Sequence, residues 1–256
     1  MLIADFHNDI LTSKNFSKLP ESYSRNKIVT AVYNDGRPFA DALRLAEVGE
    51  LIAFEDLGYK DVDVDAVISK RPKYVGITWN GENKFGYGCN FSEGLKGEGI
   101  SLIKALNKAG IAVDTAHISK GGFKDVIDNA EKVVNSHTCF NGVYRHKRNL
   151  DDWQLDLLVR RGAMVGVTFC GYFMTDRKTC EISDLTAEID YFAQRYGINN
   201  LCLGTDYYGS DFFPNGLNDY NDFYLLEESL IRLGYKREDV EKIFYGNLNE
   251  FLENDR

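Results

Sequence analysis

Residues 2–9 read Leu2-Ile3-Ala4-Asp5-Phe6-His7-Asn8-Asp9, a short apolar run followed at once by polar side chains. Short apolar runs rich in β-branched residues are typical of buried strands. The same pattern recurs along the chain, and it predicts eight strands. They are Leu2 to Phe6, Ile28 to Tyr33, Leu51 to Phe54, Tyr74 to Thr78, Ile111 to Asp114, Lys132 to Asn135, Ala163 to Phe169 and Leu201 to Gly204.

The segments between these runs carry apolar residues three and four apart, which indicates amphipathic helices. Helices are predicted most clearly at Leu185 to Tyr196, Phe223 to Leu233 and Arg237 to Leu252. Apolar strands that alternate with helices predict a parallel sheet covered by helices. Eight such units favour a closed (β/α)8 TIM barrel over an open sheet, and such a barrel commonly uses about 250 residues. We therefore expect residues 1–256 to form one barrel domain.

Composition limits the classes of partner and compartment. The net charge of -9 and the pI near 5.0 argue against binding to nucleic acid or to an anionic membrane. The sequence shows neither the pattern of a secretory signal nor an apolar run approaching the ~20 residues that span a bilayer. The five cysteines are widely spaced and form no CxxC pair, so we expect a protein of the reducing cytoplasm without a thiolate metal site.

Side chains that can bind metal ions follow the predicted strands. His7 and Asp9 follow strand 1, Glu55 ends strand 3, His117 follows strand 5, His137 ends strand 6 and Asp206 ends strand 8. In a parallel barrel the carboxyl ends of the strands form one rim, so these side chains are expected to meet. The His-x-Asp spacing would place His7 and Asp9 on one face of an extended segment. The fourth histidine, His146, is expected in an exposed loop.

Two metal sites can be drawn from these residues. His7, Asp9 and Glu55 would hold one ion, and His117, His137 and the second oxygen of Glu55 would hold the other. A carboxylate bridge keeps two cations about 3.5 to 4 Å apart, and a hydroxide between them becomes a nucleophile near neutral pH. Asp206 could take a proton from that water and pass it to a leaving group. Imidazole with carboxylate suits zinc, but also manganese, iron or cobalt.

Seven stretches, in this order, resemble the membrane (renal) dipeptidase family and its bacterial relatives. They are Asp5-Phe6-His7-Asn8-Asp9, Leu51-Ile52-Ala53-Phe54-Glu55, Asp114-Thr115-Ala116-His117-Ile118-Ser119, Ser136-His137-Thr138, Arg148-Asn149-Leu150, Leu203-Gly204-Thr205-Asp206 and Gly246-Asn247.

The resemblance implies a binuclear zinc peptidase on a (β/α)8 barrel, in which a homodimer is also to be expected. It implies that the metal ligands are His7, Asp9, Glu55 as the bridge, His117 and His137. It also implies that Asp206 serves the proton transfers. Arg148 matches the arginine that binds the terminal carboxylate of the substrate, a task that suits the planar fork of guanidinium donors.

The chain departs from the family after strand 4. The family motif ends there in a histidine that polarises the scissile carbonyl, whereas Tyr74-Val75-Gly76-Ile77-Thr78-Trp79 ends in tryptophan. An indole donates one hydrogen bond but carries no positive charge. Asn80 offers a replacement donor, so we include both Trp79 and Asn80 among the substrate-binding residues. Loss of one oxyanion donor typically costs about 10² to 10³ in kcat, and weak activity on ordinary dipeptides is expected.

Three functions are compatible with these residues. The first is a metallo-dipeptidase with two divalent ions, expected to be Zn²⁺, that hydrolyses a small dipeptide by means of a metal-bridging hydroxide. The second is a binuclear amidohydrolase for a non-peptide amide or lactone, favoured by Trp79 and by a stretch around Thr12 to Gly49 that is shorter than in the family. The third is a metal-binding homologue with weak or lost catalysis.

Overall fold

Eight parallel strands alternate with helices in the computed structural model, which describes residues 1–254. The strands are β1 (Ala4–Asn8), β2 (Lys27–Tyr33), β3 (Leu51–Glu55), β4 (Tyr74–Gly76), β5 (Ala112–Asp114), β6 (Val133–Thr138), β7 (Val165–Val167) and β8 (Leu201–Leu203). They follow one another in chain order around a closed barrel. The predicted (β/α)8 fold is confirmed.

Nine α-helices lie within the described residues. They are α1 (Phe39–Leu45), α2 (Val64–Ser69), α3 (Gly97–Ala109), α4 (Lys120–Asn129), α5 (Asp152–Arg160), α6 (Ile182–Tyr196), α7 (Phe223–Arg232), α8 (Arg237–Glu241) and α9 (Asn247–Asn254). The longest, α6, buries Leu185, Ile189 and Phe192 at the three- and four-residue spacing of one helix face. Within residues 1–254, no helix combines the length and the apolar character needed to cross a bilayer.

The chain divides into two compact units. The first comprises Met1–Asn8, Pro20–Ile28 and the described part of Ser136–Arg256, and the second comprises Asp9–Leu19 and Val29–Asn135. In the first unit, β8 pairs with β1, where Asp5 lies opposite Leu203, and with β7. In the second unit, the segments of β2, β3, β4 and β5 pair in that order. The buried strand residues and the inner faces of the helices form the core of each unit.

Several strand ends agree with the predictions, and the others differ by up to three residues. The first strand was predicted at Leu2 to Phe6, but β1 starts at Ala4 and continues to Asn8 because its pairing with β8 begins at Asp5, whereas Leu2 is exposed. His7 therefore lies inside the strand rather than after it. Conversely, β8 stops at Leu203, and Asp206 lies in the loop that follows it rather than at the strand end.

The helix predicted from Arg237 to Leu252 is not continuous. A π-helical segment, Lys242–Gly246, separates α8 from α9. It ends at Asn247, whose side-chain amide donates hydrogen bonds to the carbonyl oxygens of Ile198 (2.6 Å) and Leu201 (2.8 Å). The extra residue in the turn shifts the helical register, and Asn247 is the buried side chain that satisfies these two carbonyl groups at the start of β8.

Gly204 lies directly after β8, where the backbone passes close to β6. A Cβ atom at Gly204 would lie 1.9 Å from the carbonyl oxygen of Ser136. No side chain fits there unless one of the two backbone segments moves. The glycine therefore allows the loop that carries Asp206 to leave β8 close to the segment that carries His137.

Candidate active site

His7 is held in place by Asp5, a buried acid two residues earlier on β1. The Oδ1 atom of Asp5 accepts the backbone N–H groups of His7 (3.2 Å) and Thr205 (2.8 Å). Its Oδ2 atom accepts the hydroxyl groups of Thr205 (2.6 Å) and Tyr220 (2.6 Å). Burial raises the pKa of Asp5, and the hydrogen bonds from Thr205 and Tyr220 oppose that rise. Through these four donors, one carboxylate joins the end of β1 to the loops after β8.

His137 lies near the end of β6 and beside His7. The two imidazole centroids are 3.9 Å apart, and the two side chains offer ligand atoms within 4.8 Å of each other. The Nδ1 atom of His137 lies 2.8 Å from the hydroxyl oxygen of Ser136. When Nδ1–H donates to that oxygen, Nε2 is the ring nitrogen that can bind a metal ion.

Asp206 is held on a strained backbone beside His7. Its φ of 61° lies in the left-handed region, which a residue other than glycine adopts at a cost of about 1 to 3 kcal/mol. The backbone N–H of Asp206 donates to the carbonyl oxygen of His7 at 3.0 Å. The carboxylate of Asp206 and the imidazole of His7 offer ligand atoms within 4.8 Å of each other. Asp206 is thus close enough to His7 to act on a molecule bound there.

In the second unit, Glu55 and His117 form a buried pair. The Nε2 atom of His117 lies 2.9 Å from Oε1 of Glu55. The other ring nitrogen, Nδ1, lies 2.9 Å from the side-chain oxygen of Asn80, which also accepts the thiol of Cys89 at 2.9 Å. Since an amide oxygen only accepts, Nδ1 of His117 carries the hydrogen. In the neutral imidazole Nε2 is then an acceptor that faces the carboxylate, and two facing acceptors fit a divalent cation.

The backbone at His117 is strained in the same way as at Asp206. Its φ is 62°, and it follows β5 by three residues. Left-handed residues other than glycine are uncommon and concentrate at functional sites. Two of the sequence-predicted residues share this feature, which sequence patterns did not reveal.

Asp9 belongs to the second unit and is also buried. Its φ and ψ of −93° and 18° are not those of a strand, and it begins the short 3₁₀ helix Ile10–Thr12. The extended segment of β1 therefore ends at Asn8, one residue before Asp9. The carbonyl group of Asp9 accepts the N–H of Thr12 at 3.0 Å, so the chain already turns at the acid.

Trp79 and Asn80 are consecutive residues in the loop that follows β4. Trp79 is 42% exposed, and its ring lies 5.9 Å from that of His117 and 5.5 Å from that of Tyr33. A Cβ atom at Gly88 would lie 1.7 Å from the carbonyl oxygen of Trp79, so only glycine lets the loop pass here. Asn80 was expected to contact the substrate, and its side-chain oxygen contacts His117.

Arg148 is buried beside His137. One of its terminal nitrogens donates to the carbonyl oxygen of His137 at 2.8 Å, and the guanidinium group lies 5.6 Å from the ring centroid of Phe173. Its Nε atom has no hydrogen-bond partner among residues 1–254. His146 stacks on Phe173 at 4.9 Å and is half-buried rather than exposed, and burial lowers its pKa. An unsatisfied buried donor on Arg148 is suited to an anionic ligand.

Two supporting aspartates and one buried glutamate were not predicted from the sequence. The two aspartates are Asp5 on β1 and Asp114 on β5. The Oδ1 atom of Asp114 accepts the N–H of Ala116 at 3.0 Å. An acid inside an otherwise apolar run was the signal that could have identified both. Glu188 on α6 accepts the N–H of Phe140 at 2.8 Å, and burial raises its pKa to about 8. No pattern around Glu188 distinguishes it from an exposed helical acid.

Comparison with known proteins identifies the family. Residues 57–254 match the model of the membrane dipeptidase family, peptidase family M19. The matched range contains His117, His137, Arg148 and Asp206, while His7, Asp9 and Glu55 precede it. This match covers well over half of the chain.

Two relatives show the extent of the likeness. The chain is 29% identical over 205 residues to "Uncharacterized protein in pqqA 5'region" of Klebsiella pneumoniae, which covers 75% of each protein. It is 27% identical over 176 residues to dipeptidase verJ of Clonostachys rogersoniana, covering 67% of this chain and 45% of that protein. The chain thus aligns with less than half the length of the fungal dipeptidase.

Two crystal structures have the same fold. The metallopeptidase dipeptidase AC has a TM-score of 0.86 at 20% identity, and the match covers 100% of this chain and 98% of that one. A Rhodobacter sphaeroides metallopeptidase, solved with a phosphinate mimic of the dipeptide L-Ala-D-Ala, has a TM-score of 0.84 at 19% identity and covers 100% and 99%. At such identities the likeness establishes the fold alone. With the family match over residues 57–254, the chain belongs to the membrane dipeptidase family and is a hydrolase of the metallo-dipeptidase class.

Proposed function

We propose that the chain is a single catalytic domain that hydrolyses the amide bond of a small dipeptide with the help of two divalent metal ions. The observation that carries the proposal is the geometry of His117. Its Nδ1 is hydrogen-bonded to Asn80, its Nε2 faces the Glu55 carboxylate at 2.9 Å, and its backbone is left-handed. A structural histidine has no need of a buried carboxylate, a second oriented partner and a strained backbone together.

The proposed ligands are His7, Asp9, Glu55, His117 and His137, with Glu55 as the bridge. All five are buried, and imidazole and carboxylate are the donors that zinc accepts. When bound, two such ions would lower the pKa of a water molecule and stabilise negative charge on the substrate oxygen. We propose zinc as the metal.

Asp206 is proposed as the acid and base of the reaction. As a carboxylate, it accepts a proton from the attacking water, and as a carboxylic acid it returns that proton to the leaving amine. The strained turn and the hydrogen bond to His7 fix the direction of its side chain. General acid–base catalysis of this kind contributes roughly 10² to 10⁴ in rate.

Arg148 and the loop after β4 are proposed to position the substrate. The free Nε donor of Arg148 would bind the terminal carboxylate of a dipeptide, a group that matches it in charge. Trp79 would form an exposed wall against the substrate. The oxygen of Asn80 holds His117, which leaves its NH₂ group to donate to the scissile carbonyl in place of the family histidine.

A second candidate is a binuclear amidohydrolase for a non-peptide amide or lactone. The exposed, uncharged Trp79 favours it, because this side chain cannot supply the positive charge that the family histidine supplies. A metal-binding homologue with weak catalysis is the third reading. A substrate screen with metal-loaded protein separates the first two, since a strong preference for lactones over dipeptides would transfer the assignment to the second.

The experiment that tests catalysis is the replacement Asp206→Asn, measured on dipeptides with zinc-loaded protein. We expect kcat to fall by about 10² to 10⁴, because the variant cannot carry the proton. The matched control is Asp211→Asn in the same loop, where the acid accepts a hydrogen bond from Tyr172 at 3.0 Å and is exposed. Equal turnover by wild type and Asp206→Asn would contradict the proposed role.

Compartment and assembly are part of the same proposal. All five cysteines are free thiols, which supports a reducing compartment such as the cytoplasm. The expected homodimer is tested by light scattering of the metal-loaded protein. The negative net charge of -9 supports a small-molecule substrate rather than a nucleic acid.

A further inference from the structure

A cavity of about 320 Å³ in the first unit is lined by five aromatic residues together with a proline and five polar residues. The five aromatic residues that form its walls, here named the tyrosine pocket, are Tyr23, Tyr207, Tyr208, Phe213 and Tyr220. They come from the loops that follow β1 and β8, two strands that pair with each other. The volume lies at the small end of ligand-binding pockets, which range over roughly 300 to 1,000 Å³.

The tyrosine pocket includes chain neighbours of the proposed acid and is hydrogen-bonded to the chain neighbour of His7. Tyr207 and Tyr208 directly follow Asp206 in the chain. The side chain of Asn8, which directly follows His7, donates to the hydroxyl oxygen of Tyr220 at 2.9 Å. A group that occupies the pocket would therefore lie beside the proposed acid and the end of β1.

The walls of the tyrosine pocket are already in place. Tyr207 packs edge to face against Phe213 at 5.2 Å and against Tyr220 at 5.6 Å, and Tyr23 packs against Tyr220 at 5.7 Å. Tyr23 and Tyr207 are themselves buried. A ligand would not have to order these side chains, so little conformational entropy opposes binding.

Tyr208 differs from the other wall residues. It is 53% exposed and has a φ of 71° in the left-handed region. A bulky residue in this conformation is an outlier, and such strain persists where the surroundings impose it, commonly at ligand-binding sites. The strained turn holds an aromatic face in water at the rim of the pocket.

Within residues 1–254, the tyrosine pocket has no cationic side chain, which favours an uncharged ligand. The described residues that line it include no lysine or arginine, and the carboxylate of Asp219 is engaged by the N–H of Asn221 at 2.7 Å. A carboxylate or phosphate would find no cationic partner there, whereas an aromatic or large aliphatic group would be covered by rings on several sides.

We propose that the tyrosine pocket binds an uncharged aromatic or large aliphatic side chain of the substrate, with Tyr208 as the residue that sets this specificity. The cleavage of a substrate beside it rests on the proposed function. The pocket itself rests on different residues, so the two can fail separately.

The test compares kcat/KM for L-Ala-L-Ala with that for L-Ala-L-Phe and L-Phe-L-Ala, using zinc-loaded protein. We expect wild type to favour phenylalanine at one of the two positions by about tenfold or more, as hydrophobic pockets discriminate on that scale. Tyr208→Ala should reduce this ratio by about tenfold, and Tyr208→Phe should preserve it. The control Tyr224→Ala removes another exposed tyrosine, 52% exposed on α7, and should leave the ratio unchanged.

A ratio near one in wild type, or a ratio that Tyr208→Ala does not change, would overturn the proposal. If no dipeptide is hydrolysed, the proposed function fails but the pocket remains testable by calorimetry. N-acetyl-L-phenylalaninamide should then bind at least tenfold more tightly than N-acetyl-L-alaninamide, and Tyr208→Ala should abolish the difference. Equal binding of the two amides would overturn the pocket as well.

Discussion

The ends of β1 and β5 both carry a histidine after a buried aspartate, but they hold that histidine in different ways. In each case the Oδ1 atom of the aspartate accepts a backbone N–H two residues later, at 3.2 Å from Asp5 to His7 and at 3.0 Å from Asp114 to Ala116. His7 remains inside its strand. His117 lies beyond its strand on a left-handed backbone.

The difference lies in what fixes the imidazole. At β1 the carboxylate of Asp5 accepts the backbone N–H of His7 and so positions the backbone that carries the ring. At β5 the ring itself is held, by Asn80 at Nδ1. A histidine can thus be positioned through a hydrogen bond to its backbone, as at His7, or through one to its ring, as at His117. The two arrangements should respond differently to mutation.

The largest effect on stability is expected from removing the carboxylate of Asp5. Asp5→Ala leaves two buried hydroxyl groups and two buried N–H groups without their acceptor, so the free energy of unfolding should fall by about 3 to 5 kcal/mol. Urea denaturation measures this. Asp61→Ala, at an exposed acid, is the control, and equal losses in both variants would show that the Asp5 network does not stabilise the fold.

A second buried acid of the first unit sharpens the contrast, because Glu188 accepts one backbone N–H (from Phe140) where Asp5 accepts four donors. Its pKa in the folded protein, about 8, lies above the ordinary value of 4.5, so the folded state favours the protonated form. The stability that this group contributes is complete below about pH 4.5 and is lost as the pH rises through 8.

Glu188→Gln should remove most of this pH dependence, which amounts to a few kcal/mol between pH 5 and pH 9 on the scale of about 1.4 kcal/mol per pKa unit. Thermal and chemical denaturation across that range measures it. Glu98→Gln, at an exposed glutamate, should retain the wild-type profile. If the stability of Glu188→Gln depends on pH as that of wild type does, other groups cause the pH dependence.

The hydrogen bond that holds the His117 ring is removed by substitution at Asn80. Asn80→Leu removes the acceptor for Nδ1 of His117 at nearly constant volume, and zinc affinity should fall by about 10- to 100-fold, as is typical for residues that orient a metal ligand. Asn80→Asp keeps an acceptor and should retain most of the affinity. Competition with a chelator measures both. Equal affinity in wild type and Asn80→Leu would show that Asn80 does not orient the ring.

The sequence predicted the barrel and all eight strands because apolar runs and helical spacing are local signals. It also indicated candidate ligands, because polar side chains at strand ends stand out against apolar neighbours. It could not predict that the chain turns at Asp9, since that conformation depends on the 3₁₀ helix that follows. Nor could it predict the contact from Asn80 to His117, which joins residues 37 positions apart and arises only when the strands are assembled.

The left-handed turns at His117 and Asp206 were equally invisible, because no glycine marks them. The strained backbone at these two residues sets the direction in which their side chains leave the chain. Residue type therefore indicated the candidate site residues, while the local conformation of three of them, Asp9, His117 and Asp206, had to be seen in three dimensions.

The proposal of a two-metal site is tested by the number of metal ions that each chain binds. Zinc titration followed by removal of excess metal and elemental analysis should give two ions per wild-type chain. Glu55→Gln, which removes the charge of the proposed bridge, should lower that number. Binding of no divalent metal by the wild-type protein, or the same two ions in wild type and in a variant that lacks both His117 and His137, would contradict the account.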